Sequence, residues 1–238
     1  MLRANVRKPM TRHPAILFIC LLLILSGASF AAEDNAGEKK EKQHIRLDKD
    51  KKTIEIDGRI CLDEGPLELF ACAEGGKEYE SLVSIKGDPW QLHLSLLLLG
   101  LKPGGGPEYQ GDPTKPFGDT LTIEVQWEQD GKTVRKRAED LIYDAKRKDT
   151  MPHVEWVFVG SKFEKNEEGK NYYVANRDRS IVTVFHDPYT VIDNPLEAGA
   201  DDTVYLVNKK AIPPKETPVV LIIRPTIKET DDTPENAR

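Results

Sequence analysis

Short runs of alternating apolar and polar residues dominate the chain between residues 53 and 226. Ile54, Ile56, Ile60 and Leu62 alternate with polar neighbours, and Leu67, Leu69 and Ala71 answer them across Asp63-Glu64-Gly65-Pro66, which predicts a first hairpin. A third strand is predicted over residues 79–85, after the tight Glu74-Gly75-Gly76 turn. Leu121, Ile123, Val125 and Trp127 alternate with Thr120, Thr122, Glu124 and Gln126, and Asp130-Gly131 turns this strand into its partner at 132–138. Residues 154–159 are apolar on both faces, the pattern of a central strand, and 172–175, 180–186, 203–207 and 219–223 predict further strands.

One segment changes period. Asp88 is placed to cap a helix with Pro89 at its first position, Leu92 to Leu99 carry it, and Gly100 suits the residue after its end. Leucine on nearly every side predicts a long helix buried against a sheet. Residues 101–118 hold Gly104-Gly105-Gly106 and four prolines without periodicity, a loop longer than compact domains keep without a use. A short helical piece is predicted at 139–143. Together these elements predict an α+β fold, a mainly antiparallel bent or barrel-like sheet of about ten strands with one long buried helix, with a pure sandwich as the alternative.

The two ends read differently. Arg3, Arg7, Lys8 and Arg12 precede an apolar run from Ala15 to Leu25, and Ser29-Phe30-Ala31 offers small residues where a signal peptidase cuts. The run is too short to span a bilayer as a helix, so residues 1–31 predict a cleaved signal peptide and a periplasmic or secreted protein without stable membrane insertion. Residues 32–52 read as a flexible charged leader, 53–226 as a single globular domain and 227–238 as a disordered tail.

Charge narrows the partners. The whole chain carries −6, and removing the basic, acid-free signal makes the remainder more acidic still, a surface that repels nucleic-acid backbones and anionic lipids. Arg135-Lys136-Arg137 is the one counter-signal and reads as an edge-protecting charge cluster. After export, Cys61 and Cys72 remain. In the predicted hairpin they stand four residues out of register, too far apart for a disulfide.

The ordered set "GKEYES", "LSLLLLGLKPG", "WVFVGSKF", "VFHDPYTVIDNP" and "PPKETPVVLIIRP" resembles the YdjY-type domain of exported bacterial proteins, over roughly residues 54–225. That family carries no assigned chemistry, so the resemblance implies a domain boundary and an exported setting. Some of its members have a histidine at the position of Tyr79, and some carry iron–sulfur cysteine clusters that this chain lacks.

Candidate chemistry is sparse. Lys77, Glu80 and Ser81 combine an ammonium, an acid and a hydroxyl where a turn feeds a strand, although strand alternation sends Glu80 to the opposite face. His93 lies on the helix. His186 ends a strand and meets Asp187-Pro188, whose cap logic predicts a short helix to Ile192. Trp90 and Tyr109 are the aromatic residues best placed for ligand contact. The histidines lack ligand spacing, the glycine run lacks the Lys-Ser/Thr of a phosphate cradle, and Ser161 is not in a nucleophile elbow, so no metal or cofactor is predicted.

The reading that follows is an exported, non-catalytic binding or accessory domain of the bacterial cell envelope. Its surface would combine the 102–118 loop, the Lys77 turn and the His186 region, for a protein, peptide or glycan partner. Two alternatives are an enzyme using Glu80, His93 and His186 as acid–base groups, and a redox-linked accessory protein using Cys61 and Cys72.

Overall fold

The computed structural model describes residues 43–226. The predicted signal peptide, the leader up to residue 42 and the C-terminal tail lie outside the described residues.

Fifteen strands and two short helices follow one another. They are β1 (Ile45–Asp48), β2 (Thr53–Ile60), β3 (Leu69–Ala73), β4 (Ser81–Ile85), α1 (Pro89–Leu98), β5 (Thr120–Gln129), β6 (Lys132–Arg137), β7 (Ile142–Asp144), β8 (Asp149–Thr150), β9 (Trp156–Phe158), β10 (Phe163–Lys165), β11 (Asn171–Tyr173), α2 (Val174–Asp178), β12 (Ser180–Thr183), β13 (Ile192–Asp193), β14 (Tyr205–Val207) and β15 (Pro218–Pro225). Eight of them close a barrel in the order β2-β15-β5-β9-β13-β12-β3-β4, and β4 returns to β2. Full closure removes the two open edges that a sheet of this size would otherwise expose. Outside the ring, β1 extends β2, β6 extends β5, and two small sheets, β14-β7-β8 and β10-β11, complete the fold.

The alternation read from the sequence explains the longest staves. Leu121, Ile123, Val125 and Trp127 of β5 are buried while Thr120, Thr122, Glu124 and Gln126 are half-exposed. Leu221 and Ile223 of β15 lie opposite Val125 and Ile123 on one side and Ile56 and Ile54 on the other. A continuous aliphatic layer results, each member worth about 1.5–3 kcal/mol when removed from water. At the seam between β2 and β4, Gly58 faces Ile85, and a Cβ on Gly58 would stand 2.6 Å from the Ser84 carbonyl oxygen. The strands can meet there because that Cβ is absent.

Several expectations change. The hairpin predicted over residues 54–71 does not form, because β4 occupies the place beside β2 and β3 runs parallel to β4 and antiparallel to β12. All five residues of β3 are buried, the mark of a strand covered on both faces rather than of a hairpin arm with one face in water. A second parallel pair joins β12 to β13, so the barrel is not wholly antiparallel. The helix α1 is neither long nor buried. It has ten residues; Leu92 and Leu96 face the core, while Leu94 and Leu98 are 40% and 58% exposed. Its cap is as predicted, with Asp88 accepting from the Trp90 amide at 2.8 Å. Residues 78–80 form a 3-10 turn before β4, which removes the face assignment based on strand alternation. Residues 174–178 are helical, Asp187-Pro188 opens a turn and not a helix, and Ile45–Asp48 is a strand within the stretch predicted as leader.

The basic run of β6 is spent locally. Arg135 donates to Gln126, Lys136 to the Ala211 carbonyl, and Arg137 to Glu139. Glu139 is wholly buried, yet its carboxylate also accepts the Val154 amide at 3.0 Å and the Trp156 indole N–H at 3.1 Å. Such a set of donors is what lets a carboxylate stay buried.

Candidate functional site

Three segments distant in sequence meet at Asp187. The first is the Lys77 turn. Lys77 Nζ lies 2.6 Å from Glu80 Oε1 and 3.4 Å from Glu68 Oε2, and Ser81 Oγ donates to the Lys77 carbonyl at 2.6 Å. Burial works against the Lys77 charge, but the two carboxylates override it and raise the ammonium pKa.

The second is the Gly/Pro loop, which backbone bonds fasten to the barrel. The Gly104 amide donates to Phe158, Gly105 and Phe117 exchange two bonds, and the Gly111 amide donates to the His186 carbonyl at 2.9 Å. A Cβ on Gly104 would stand 1.9 Å from the Phe117 carbonyl oxygen, so this approach requires glycine. Within the loop the Asp112 carboxylate accepts the Glu108 and Thr114 amides, which lowers its pKa.

The third is the segment after β12. His186 is buried, with Nδ1 2.8 Å from the Asp112 carbonyl and Nε2 3.1 Å from the Asn194 carbonyl. Its imidazole packs against Gly199, where a Cβ would lie 2.4 Å from the ring. Asp187 follows, 6% exposed, accepting the Tyr189 amide at 2.9 Å. Burial raises its pKa, opposed by the Tyr189 amide and by the charge of Lys77. Behind it Asp193 is fully buried, and burial holds its carboxyl well above the usual range although the Thr183 hydroxyl and the Asn194 amide donate to Oδ1.

These parts enclose a cleft of about 250 Å³ lined by Lys77, Gln110, Asp178, Ser180, Asp187 and Tyr189. On the other side of Asp187 lies a second cleft of about 310 Å³, bounded by Gly104 to Glu108, Ser161, Lys162 and Pro188. Most formal charge at the two clefts is already paired. Asp178 is bonded to Arg177, and Lys162 lies 2.9 Å from Glu164 and 4.6 Å above the Tyr189 ring. Ser180 Oγ is different. It is buried and has no hydrogen-bond partner among the described residues.

The match to the family model described as YdjY domain covers residues 45–224. The chain belongs to the YdjY domain family. No curated protein and no solved structure matches it. The matched stretch runs from the first residue of β1 into β15, so the whole barrel and both clefts lie inside the YdjY domain.

Within this YdjY domain the sequence-predicted residues divide. Lys77 lines the cleft; Glu80 and Ser81 hold Lys77 from behind, and His186 fixes the loop without lining either cleft. Trp90 and His93 belong to a separate aromatic cluster, stacked at 4.9 Å, with His93 Nδ1 2.9 Å from the Tyr173 hydroxyl, which donates to the Gly160 carbonyl. Burial lowers the His93 pKa and raises that of Tyr173. Tyr109 is 60% exposed and lines neither cleft. Glu80, His93 and His186 therefore answer to three different sets of partners rather than to one reacting centre. Gln110, Asp178 and Ser180 are missed by the sequence reading, and Asp187 is recognised there only as a cap.

Cys61 and Cys72 are free and buried. Cys61 directly follows β2 and Cys72 lies on β3, and β4 pairs with both of these strands. The thiols themselves share a hydrogen bond, which raises the Cys61 pKa and lowers that of Cys72. Among the described residues, no three His, Cys, Asp or Glu side chains are grouped so as to hold a metal ion.

Proposed function

We propose that this YdjY domain is an exported, non-catalytic binding or accessory domain of the bacterial cell envelope, and that its ligand seats at the paired clefts beside Asp187. The observation that carries the reading is the convergence of the Lys77 turn, the Gly/Pro loop and the His186–Tyr189 segment on one concave site. Loops held on a rigid barrel are where binding residues collect, and a long loop sewn down at both ends supplies a preformed wall. Export rests on the basic-then-apolar pattern of residues 1–31. No helix among the described residues is long and apolar enough to cross a membrane.

Two measurements test it. N-terminal sequencing of protein recovered from each cell fraction is expected to find a chain beginning near Ala32 outside the cytosol, and an intact Met1 terminus in the cytosolic fraction overturns the export half. A thermal-shift screen against glycans, peptides and metals is expected to give a hit that Asp187→Ala abolishes. A hit indifferent to that substitution places the ligand elsewhere.

A further inference from the structure

The polar groups left over at the cleft specify a ligand class. This step rests on the binding reading above. Lys77 is neutralised by Glu80 and Glu68, Asp178 by Arg177, and Lys162 by Glu164. An anionic ligand would therefore have to break an existing ion pair to reach either lysine. What remains is short-range hydrogen bonding: the Ser180 hydroxyl, which can donate and accept, and the Asp187 carboxylate with the Gln110 amide that bonds it. Tyr189 adds an aromatic side chain to the same wall.

We propose that the cleft binds a neutral sugar unit. A pyranose presents neighbouring hydroxyls, each both donor and acceptor, and a carboxylate, an amide and a hydroxyl on one wall match that pattern. The second cleft, which shares Asp187, gives room for an adjoining unit of a longer ligand. Ser180 is the decisive residue. A buried hydroxyl without a partner calls for an explanation, and a ligand hydroxyl supplies one.

That same fact makes the test clean. Ser180 Oγ bonds nothing in the free protein, so Ser180→Ala is expected to leave the melting temperature unchanged or slightly raised. The probes are glucose, N-acetylglucosamine, cellobiose and N,N′-diacetylchitobiose, titrated into the full mature chain and followed by protein-detected NMR, with an uncharged tripeptide mixture as a parallel arm. The expected result is saturable binding of at least one sugar. The disaccharide should bind more tightly than its monomer, the affinity should be nearly independent of salt, and it should fall about tenfold in Ser180→Ala and in Asp187→Asn. Sugar binding unaffected by Ser180→Ala overturns the assignment of that hydroxyl and the inference with it. Peptides that shift cleft resonances while sugars do not overturn the sugar class but leave the binding reading standing. Silence of the cleft resonances to every probe counts against both.

Discussion

Replacing Gly58 by alanine tests the closure of the barrel directly. Gly58 sits on β2 opposite Ile85, and it is not among the glycines with positive φ, so alanine meets no backbone penalty there. The only obstacle is space: the new methyl would lie 2.6 Å from the Ser84 carbonyl oxygen and 3.4 Å from the Ile85 Cα, both backbone atoms of β4 that cannot rotate away. Forcing a methyl into a packed seam costs about 1–3 kcal/mol. Restricting the unfolded chain returns about 0.4–1 kcal/mol, leaving a net loss of roughly 1–2 kcal/mol. For a domain of this size that is a fall in melting temperature of about 2–8 °C. Urea denaturation of Gly58→Ala beside the parent chain measures the loss at fixed temperature, and a calorimetric scan measures the shift. Unchanged or higher stability would mean that β2 and β4 do not pair in this register, and the closed ring would have to be abandoned.

Other expectations are equally specific. Glu139→Ala strands Arg137 and removes the acceptor for the Trp156 indole, so a loss of about 3–5 kcal/mol is expected in denaturant melts, and a loss below ~1 kcal/mol would show that the buried network is dispensable. His186→Ala removes the side-chain contact with the Asp112 carbonyl that pins the loop, so the Gly111 amide should exchange with deuterium faster while core amides of β5 and β15 keep their protection; equal acceleration everywhere would refute the local role. The raised pKa of Asp193 means that the fold binds its proton more tightly than the unfolded chain does. Stability contributed by this carboxyl is therefore full below about 3.8 and lost as pH rises through its folded pKa. Asp193→Asn, whose amide oxygen keeps both bonds to Oδ1, should be more stable than the parent at neutral pH, with the advantage vanishing in acid; a constant advantage would refute the linkage. Thiol titration under denaturing conditions should find both Cys61 and Cys72 reduced, and an oxidised pair would contradict the two free thiols of this structure.

Period-2 patterning carried most of the strands because burial on one face writes itself into alternate residues. Leu121 to Trp127 is the clearest case. What alternation does not encode is which strand lies beside which. Ile60 and Leu67 flank a good turn, yet β3 pairs elsewhere, since the choice is made by Val83 lying between Ile60 on one side and Ala71 on the other, contacts that no local window contains. The leucine run misleads for a related reason: composition alone cannot tell a helix sealed on all sides from one that leaves Leu94 and Leu98 in water. At the cleft, Lys77 and the loop were visible as unusual residues in unusual places. Ser180 was not, because a serine at the start of a strand is ordinary until the barrel buries it without a partner.

The position of β15 has a consequence for how this chain comes to be folded. It is the final strand of the described region, yet it stands between β2 and β5 with six register partners on each side. A nascent or half-threaded polypeptide that still lacks it has a gap where its second and fifth strands should be joined, and both are left with naked backbone toward that gap. The keystone is thus delivered last. The described barrel cannot close until that strand has been made.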